Sequence, residues 1–349
     1  MDIKQPRWKE VEYSRSQIIK AGKIVRKEES TTEQIETAIT IIDNWRAAHA
    51  YPLHVIYMRL RGMAKGKDNI VVAERLKRLD SIINKLKRQP TMSLWEMQDL
   101  GGCRFIVPSI PEVYHYAEKY KNSRIRHTFI SGYDYIEQPK SSGYRSLHQV
   151  YQFHSDTESK ESYNRNMLIE IQFRTHLQHV WATAVETIGL FTKQALKAGQ
   201  GDTDIQRFFV LISSLFAIRE NKPIVPGTLN DTAELISEIE QLNDHHHILD
   251  MLKAIRVALD HEEDLHKDKK GYYILILNYE TKRLRIAYFS PSDVEKANTV
   301  YSQIENNHQS ATSDAVLVRA SSFQTLKNAY PNYFLDIGEF VDIVSEYLS

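Results

Sequence analysis

The 349-residue sequence has one cysteine, no long apolar run and no net charge. Cys103, alone, cannot close an internal disulfide or build a cysteine-rich zinc site, so zinc fingers are excluded and the fold rests on packing suited to a reducing cytosol. The most apolar segment, Phe208 to Ile218, lies between Arg207 and Arg219 and falls far short of the roughly 20 residues that cross a bilayer. It reads as a buried helix. The opening MDIKQPRWKEVEYSR has no apolar stretch for a signal peptidase, which predicts a cytoplasmic chain without a membrane partner. What is present, 42% hydrophobic and 26% charged residues, fits a globular rather than a disordered chain, and the length allows two or three domains.

The zero charge is a sum of opposites. Residues 1–200 hold 31 Lys and Arg against 22 Asp and Glu, a balance of +9, which leaves −9 for residues 201–349. A basic half is expected to meet an anion, and an acidic half is able to cover it.

Ser30-Thr31-Thr32-Glu33 has capping-box spacing ahead of Ile35, Ile39, Ile42 and Trp45, which predicts a long helix broken or kinked at Pro52. An apolar helical run over 53–63 and a basic helix over 71–88 follow. Strands are expected over 104–107, 126–135, 146–154 and 167–174, with a helix over 111–120, and the last two strands are expected to join through a hairpin-like polar connection. Helices over 175–194, 203–220 and 232–266 come next. Consecutive His245, His246 and His247 point around a helix and so make no metal site. Beyond a turn near 268, strands over 272–278 and 283–289 form a hairpin, followed by a helix over 292–305, a strand over 315–319 and terminal helices. The fold class is α/β or α+β, a mixed sheet flanked by helices. Three parts are expected: 1–200, a helical bridge over 201–267, and a small α+β unit over 268–349.

In 167–174, Ile169, Ile171 and Phe173 alternate with Glu170, Gln172 and Arg174, so one face is core and the other polar. Asp99 precedes Gly101 and Gly102, which leave room for a ligand. An Asp and a Glu on neighbouring strands suit Mg²⁺ when phosphate oxygens and waters complete its shell. Lys77, Ser81 and Lys85, with Arg75 nearby, form a helical stripe at i, i+4 and i+8 that suits phosphates. The segment 134–148 is a Pro/Gly loop opening into a strand. In it Tyr144 is placed to stack on a base, with Lys140, Arg145 and His148 to grip an acceptor.

These residues resemble the synthetase domain of the RelA/SpoT alarmone synthetases: Arg75/Lys77/Ser81/Lys85, then Asp99 and Arg104, then Asp-Tyr-x-x-x-Pro-Lys-x-x-Gly-Tyr-Arg-Ser-Leu-His, then Glu-Ile-Gln-Phe-Arg-Thr, over roughly residues 50–220. The resemblance implies a RelA/SpoT nucleotidyltransferase-like fold and pyrophosphate transfer from ATP to a ribose 3′-hydroxyl. By the same resemblance Arg75, Lys77, Ser81, Lys85 and Arg104 hold ATP, Asp99 and Glu170 hold Mg²⁺, and Glu170 is the base. Tyr144 would stack on the acceptor, with Lys140, Arg145, His148, Gln172 and Arg174 around it. Stand-alone synthetases usually carry Glu-His where this chain has Glu186-Thr187, a departure that bears on a guanosine acceptor. Only some fifty residues precede the motifs, so no hydrolase domain is expected there and the chain should not degrade alarmone.

Tyr330-Pro-Asn-Tyr333 near the C-terminus resembles the tyrosine pair of CapRel-type fused toxin–antitoxins, in which a pseudo-zinc-finger antitoxin domain follows a toxic small alarmone synthetase. That resemblance implies the 3′-CCA end of tRNA as acceptor, Tyr330 and Tyr333 as an autoinhibitory lid over the ATP site, and a phage protein, notably a capsid protein, as trigger. Leu275, Leu277, Phe334 and Leu335 are candidates for the trigger's docking patch. The competing readings are a ppGpp or ppApp synthetase with a regulatory C-terminus, and an inactive RNA-binding or partner-sensing module.

Overall fold

The alternation in 168–175 places a strand with two unlike faces at the middle of a sheet, and the rest of the chain is arranged about it. A computed structural model describes residues 8–195, 202–256, 270–278, 283–307, 313–320, 326–328, 330 and 337–349. Its strands are β1 (Val71–Leu76), β2 (Gly101–Val107), β3 (Thr128–Asp134), β4 (Leu147–Gln152), β5 (Leu168–Thr175), β6 (Gly271–Asn278), β7 (Arg283–Phe289) and β8 (Ser313–Ala320). They form one mixed sheet in the order β3-β4-β5-β2-β1-β8-β6-β7. The β2–β5 pair is parallel and the remaining pairs are antiparallel. Strand β8 pairs with β1 at Glu74↔Arg319 and Arg75↔Val318, so strands from both sides of residue 268 share a sheet.

The helices are α1 (Arg15–Ile24), α2 (Thr32–Ala48), α3 (Ala50–Met63), α4 (Leu79–Arg88), α5 (Ile110–Lys121), α6 (His176–Ala195), α7 (Asp202–Arg219), α8 (Thr232–His246), α9 (Ile248–Arg256), α10 (Val294–Asn307) and α11 (Gly338–Tyr347). Ile169, Ile171 and Phe173 pack with Cys103, Phe105 and Val107 against α3 and α5, and α10 covers the same side further along on Tyr272, Ile274 and Leu317. On the opposite side one apolar cluster joins α6 and α7 to Tyr273, Leu275, Leu277, Val316 and Val318 and to Phe340 and Val344 of α11.

Four expectations need correction. The basic helix starts at Leu79, not 71: residues 71–76 are strand, since β2 takes this backbone along all six residues and β8 pairs at two of them, and sheet pairing overrides a helical charge pattern. The helix expected over 232–266 breaks at His247, which is left-handed at φ +50°, so the histidines end α8 instead of lining a continuous face. The capping box sits one residue later, with Thr31 and Gln34 exchanging bonds, because the Ser30 hydroxyl donates instead to the Ile24 carbonyl. Leu275 and Leu277 are fully buried and offer no docking surface; Phe334 and Leu335 lie outside the described residues. The Phe208–Ile218 segment falls within α7, with Phe208, Leu211 and Ile212 in the core, and no helix among the described residues is long and apolar enough to cross a membrane.

Candidate functional site

Sheet register gathers the polar residues on one face. Arg75 of β1 pairs across to Gly102 of β2, Gly102 and Arg104 align with Glu170 and Gln172 of β5, and His148 of β4 lies opposite Gln172. Of the two glycines, Gly101 serves packing, since a Cβ there would meet Ile169 at 2.7 Å, whereas Gly102 has only the Glu170 carbonyl within 4 Å, at 3.9 Å. The open space expected for a ligand is therefore at Gly102.

Around Glu170 the side chains close a ring of hydrogen bonds. Glu170 Oε1 lies 3.0 Å from His148 Nδ1 and Oε2 accepts from Gln172 Nε2 at 2.7 Å. Gln172 Oε1 accepts from Arg174, Arg174 donates to the Tyr144 hydroxyl at 3.4 Å, and that hydroxyl lies 2.8 Å from His148 Nε2. The pattern is satisfied when the Tyr144 proton points at Nε2 and His148 carries its own proton on Nδ1, donating to Glu170. Burial pushes the Glu170 carboxyl up, but the hydrogen bonds it accepts from His148 and Gln172 help to hold the group below the usual carboxylate range. Burial raises the Tyr144 phenol.

Lys140 lies over the Tyr135 ring at 4.1 Å and near Tyr144 at 5.3 Å. Its turn needs Gly143, at φ +87°, where a Cβ would come within 2.8 Å of the Trp181 ring. Arg145 turns elsewhere, to Glu220 at 3.5 Å, where Thr175 and Gln178 also bind that carboxylate. The structure thus places Arg145 in a buried network apart from the ring.

A second cluster lies at the start of β2. Lys77 and Lys85 bind the two oxygens of Asp99 at 2.8 and 2.9 Å. Burial would raise the Asp99 carboxyl, but the two ammonium groups bring it down to about 2. Lys77 lies between β1 and α4, while Ser81 and Lys85 are carried by α4. Asp99 pushes Glu170 upward electrostatically, so the two carboxylates feel each other. Both carry good Mg²⁺ donors, and two carboxylates suffice when phosphate oxygens and waters supply the other ligands. The donor set fits that ion; among the described residues there is no cluster of three or more His, Cys, Asp or Glu for an all-protein cage.

Arg104 is buried and donates to Glu186 at 3.2 Å; burial lowers its guanidinium to about 10 despite Glu186. Above it, 5.4 Å from the ring centroid to the guanidinium carbon, sits Tyr330, which is buried and donates its hydroxyl to the Glu74 carbonyl at 2.8 Å. Tyr333 lies outside the described residues. Thr187 is fully buried with its hydroxyl unpartnered. Tyr135 went without a role in the sequence reading; its i, i+2 spacing from Tyr133, on which it stacks at 5.9 Å, was the available signal.

Residues 74–192 match a family model described as a region found in RelA / SpoT proteins. This chain is similar to two Bacillus subtilis (strain 168) proteins, GTP pyrophosphokinase YjbM (33% identical over 114 residues, 32% of this chain and 52% of that one) and GTP pyrophosphokinase YwaC (32% over 117 residues, 31% and 52%). The chain spans about half the length of these curated relatives. Among solved structures it resembles small alarmone synthetase 1 from Bacillus subtilis bound to its product pppGpp (24% identity, TM-score 0.40, 50% of this chain and 89% of that one) and smu.1046c from Streptococcus mutans UA159 (26%, 0.40, 50% and 89%).

Proposed function

We propose that this chain is an ATP-dependent pyrophosphokinase acting on a ribose 3′-hydroxyl. The observation that carries the reading is an ionised Glu170, held in its ring, within electrostatic reach of Asp99, which Lys77 and Lys85 bind. Glu170 takes the proton of the acceptor hydroxyl, whose oxygen attacks the β-phosphorus of ATP; the bond from that phosphorus to the α–β bridging oxygen breaks and AMP leaves. Lys77, Ser81, Lys85 and Arg75 hold the triphosphate, and Tyr144 with Lys140 holds the acceptor nucleoside. Asp99 and Glu170 would hold Mg²⁺, which supplies charge neutralisation along the triphosphate. Such transfer depends on positioning and electrostatics more than on covalent chemistry.

The acceptor in this proposal is the tRNA 3′-CCA end, and the chain inhibits itself until a phage protein, notably a capsid protein, binds the C-terminal segment as antitoxin. The +9 balance of residues 1–200 suits a polyanionic backbone. Tyr330 lying over Arg104 supports a lid on the donor side. Moving such a lid from about 1% to about 99% open takes a trigger about 5.5 kcal/mol of differential binding. A guanosine acceptor is the second reading, supported by the similarity to two proteins named GTP pyrophosphokinases.

The test uses the full chain, because cutting before β6 would strip β8 from β1. Wild type and Tyr330→Ala are incubated with γ-labelled ATP, Mg²⁺ and either deacylated tRNA or GTP. Label on tRNA, increased in Tyr330→Ala, is expected. Label on GTP alone overturns the tRNA acceptor, and no transfer by either protein overturns the pyrophosphokinase.

A further inference from the structure

Helix α4 starts without a cap of its own. Its N-cap is Arg78, whose side chain holds no acceptor and makes no capping bond, although first-turn amides need acceptors. The acceptor comes from 226 residues downstream: Glu305 of α10 takes the Leu79 N–H on Oε1 at 3.1 Å, and the Tyr301 hydroxyl donates to the same oxygen at 2.9 Å. Its other oxygen is held by Arg46 of α2, a guanidinium only 1% exposed that lies 4.8 Å from the Tyr301 ring centroid and also binds Asp43.

This carboxylate does more than pair with a buried arginine. A negative group at a helix start satisfies its orphan amide and complements the helix dipole. Here the helix so capped carries Ser81 and Lys85, and Lys85 is one of the two cations on Asp99. We propose that Glu305 is a positioning residue for the donor side of the site: it caps α4 in trans and so holds Lys85 at Asp99, with Ser81 on the same helix, while α10 is docked. The inference rests on the reading of α4 as the donor-phosphate helix. It makes the segment beyond 268 a structural component of that site as well as its proposed restraint.

Hydrogen exchange of the full chain tests the cap directly, beside ATP kinetics. In Glu305→Ala the amides of residues 79–82 are expected to exchange about tenfold faster, with β5 amides unchanged, and KM for ATP to rise about tenfold while kcat stays within about twofold. Glu305→Gln keeps an oxygen for the Leu79 N–H and should retain most of the α4 protection. Unchanged exchange over 79–82, or equal acceleration in β5, overturns the proposal. Equal exposure of α4 in both variants also overturns it, since the Arg46 ion pair rather than the cap would then hold the helix. A wild-type chain that transfers no pyrophosphate ends the reading of the previous section, and the amides then decide this one alone.

Discussion

Around Glu170 the ring partners come from two adjacent strands and the loop that leads into them; around Arg104 and α4 they come from Glu186, Glu305 and Tyr330. The first half of the site is assembled by neighbours in register, so it forms when β4 pairs with β5. The second is assembled by segments that meet only when the whole sheet closes, with β8 on β1. A site built this way can keep its proposed acceptor side rigid while its proposed donor side answers to what happens near the C-terminus.

The largest expected effect lies on the local side. Glu170→Gln keeps the side-chain shape but removes the proposed base, and general-base loss costs about 10² to 10⁴ in rate. Transfer should fall about a thousandfold in kcat with KM for ATP little changed and the circular dichroism of the native fold retained. Activity within tenfold of wild type would remove Glu170 as base.

Gly143 tests the rigidity of that same side through stability. Alanine would need φ near +87° and would place its Cβ 2.8 Å from a Trp181 ring carbon and 3.2 Å from the Ser213 Cβ. Left-handed strain and overpacking together cost about 3 kcal/mol. Urea unfolding should show a loss of that order, and a loss below about 0.5 kcal/mol would mean that the loop bearing Lys140 and Tyr144 is not fixed against α6 and α7.

The same contrast decides what could be read from the sequence. Glu170, Gln172 and Arg174 announce themselves by period-two alternation, and the structure brings Tyr144 and His148, four residues apart in a loop-to-strand stretch, into hydrogen-bond contact with them. Asp99 was paired with Mg²⁺ and the lysines with phosphates rather than with one another, which spacing cannot distinguish. Strand β1 was misread as helix because its partners, β2 and β8, lie about 30 and 240 residues away, and pattern within a window is silent about them. Arg145 was grouped with its sequence neighbours, yet its partner Glu220 is 75 residues on. Glu305 gave no signal at all, since a capping carboxylate at such separation has no local spacing to betray it.

On the distributed side, Asp99 offers the smallest and most graded test. Its carboxyl is brought down from 3.8 to about 2 because Lys77 and Lys85 outweigh burial. A depressed folded-state value means that the stabilisation is complete above the unfolded pKa, near 4, and is lost as pH falls through about 2. The shift corresponds to about 2 kcal/mol at neutral pH, a figure that applies because the side chain is only 21% exposed. Wild type should therefore lose about that much between pH 4 and pH 2 in addition to losses shared with Asp99→Asn, measured as the difference in urea midpoints of the two proteins at each pH. Asp99→Asn should be the less stable at pH 7, where two half-buried ammonium groups lack their counter-charge, and the gap should narrow on acidification. Parallel curves would show that the lysines contribute nothing through Asp99, and the donor cluster would then be held by α4 and its distant cap alone.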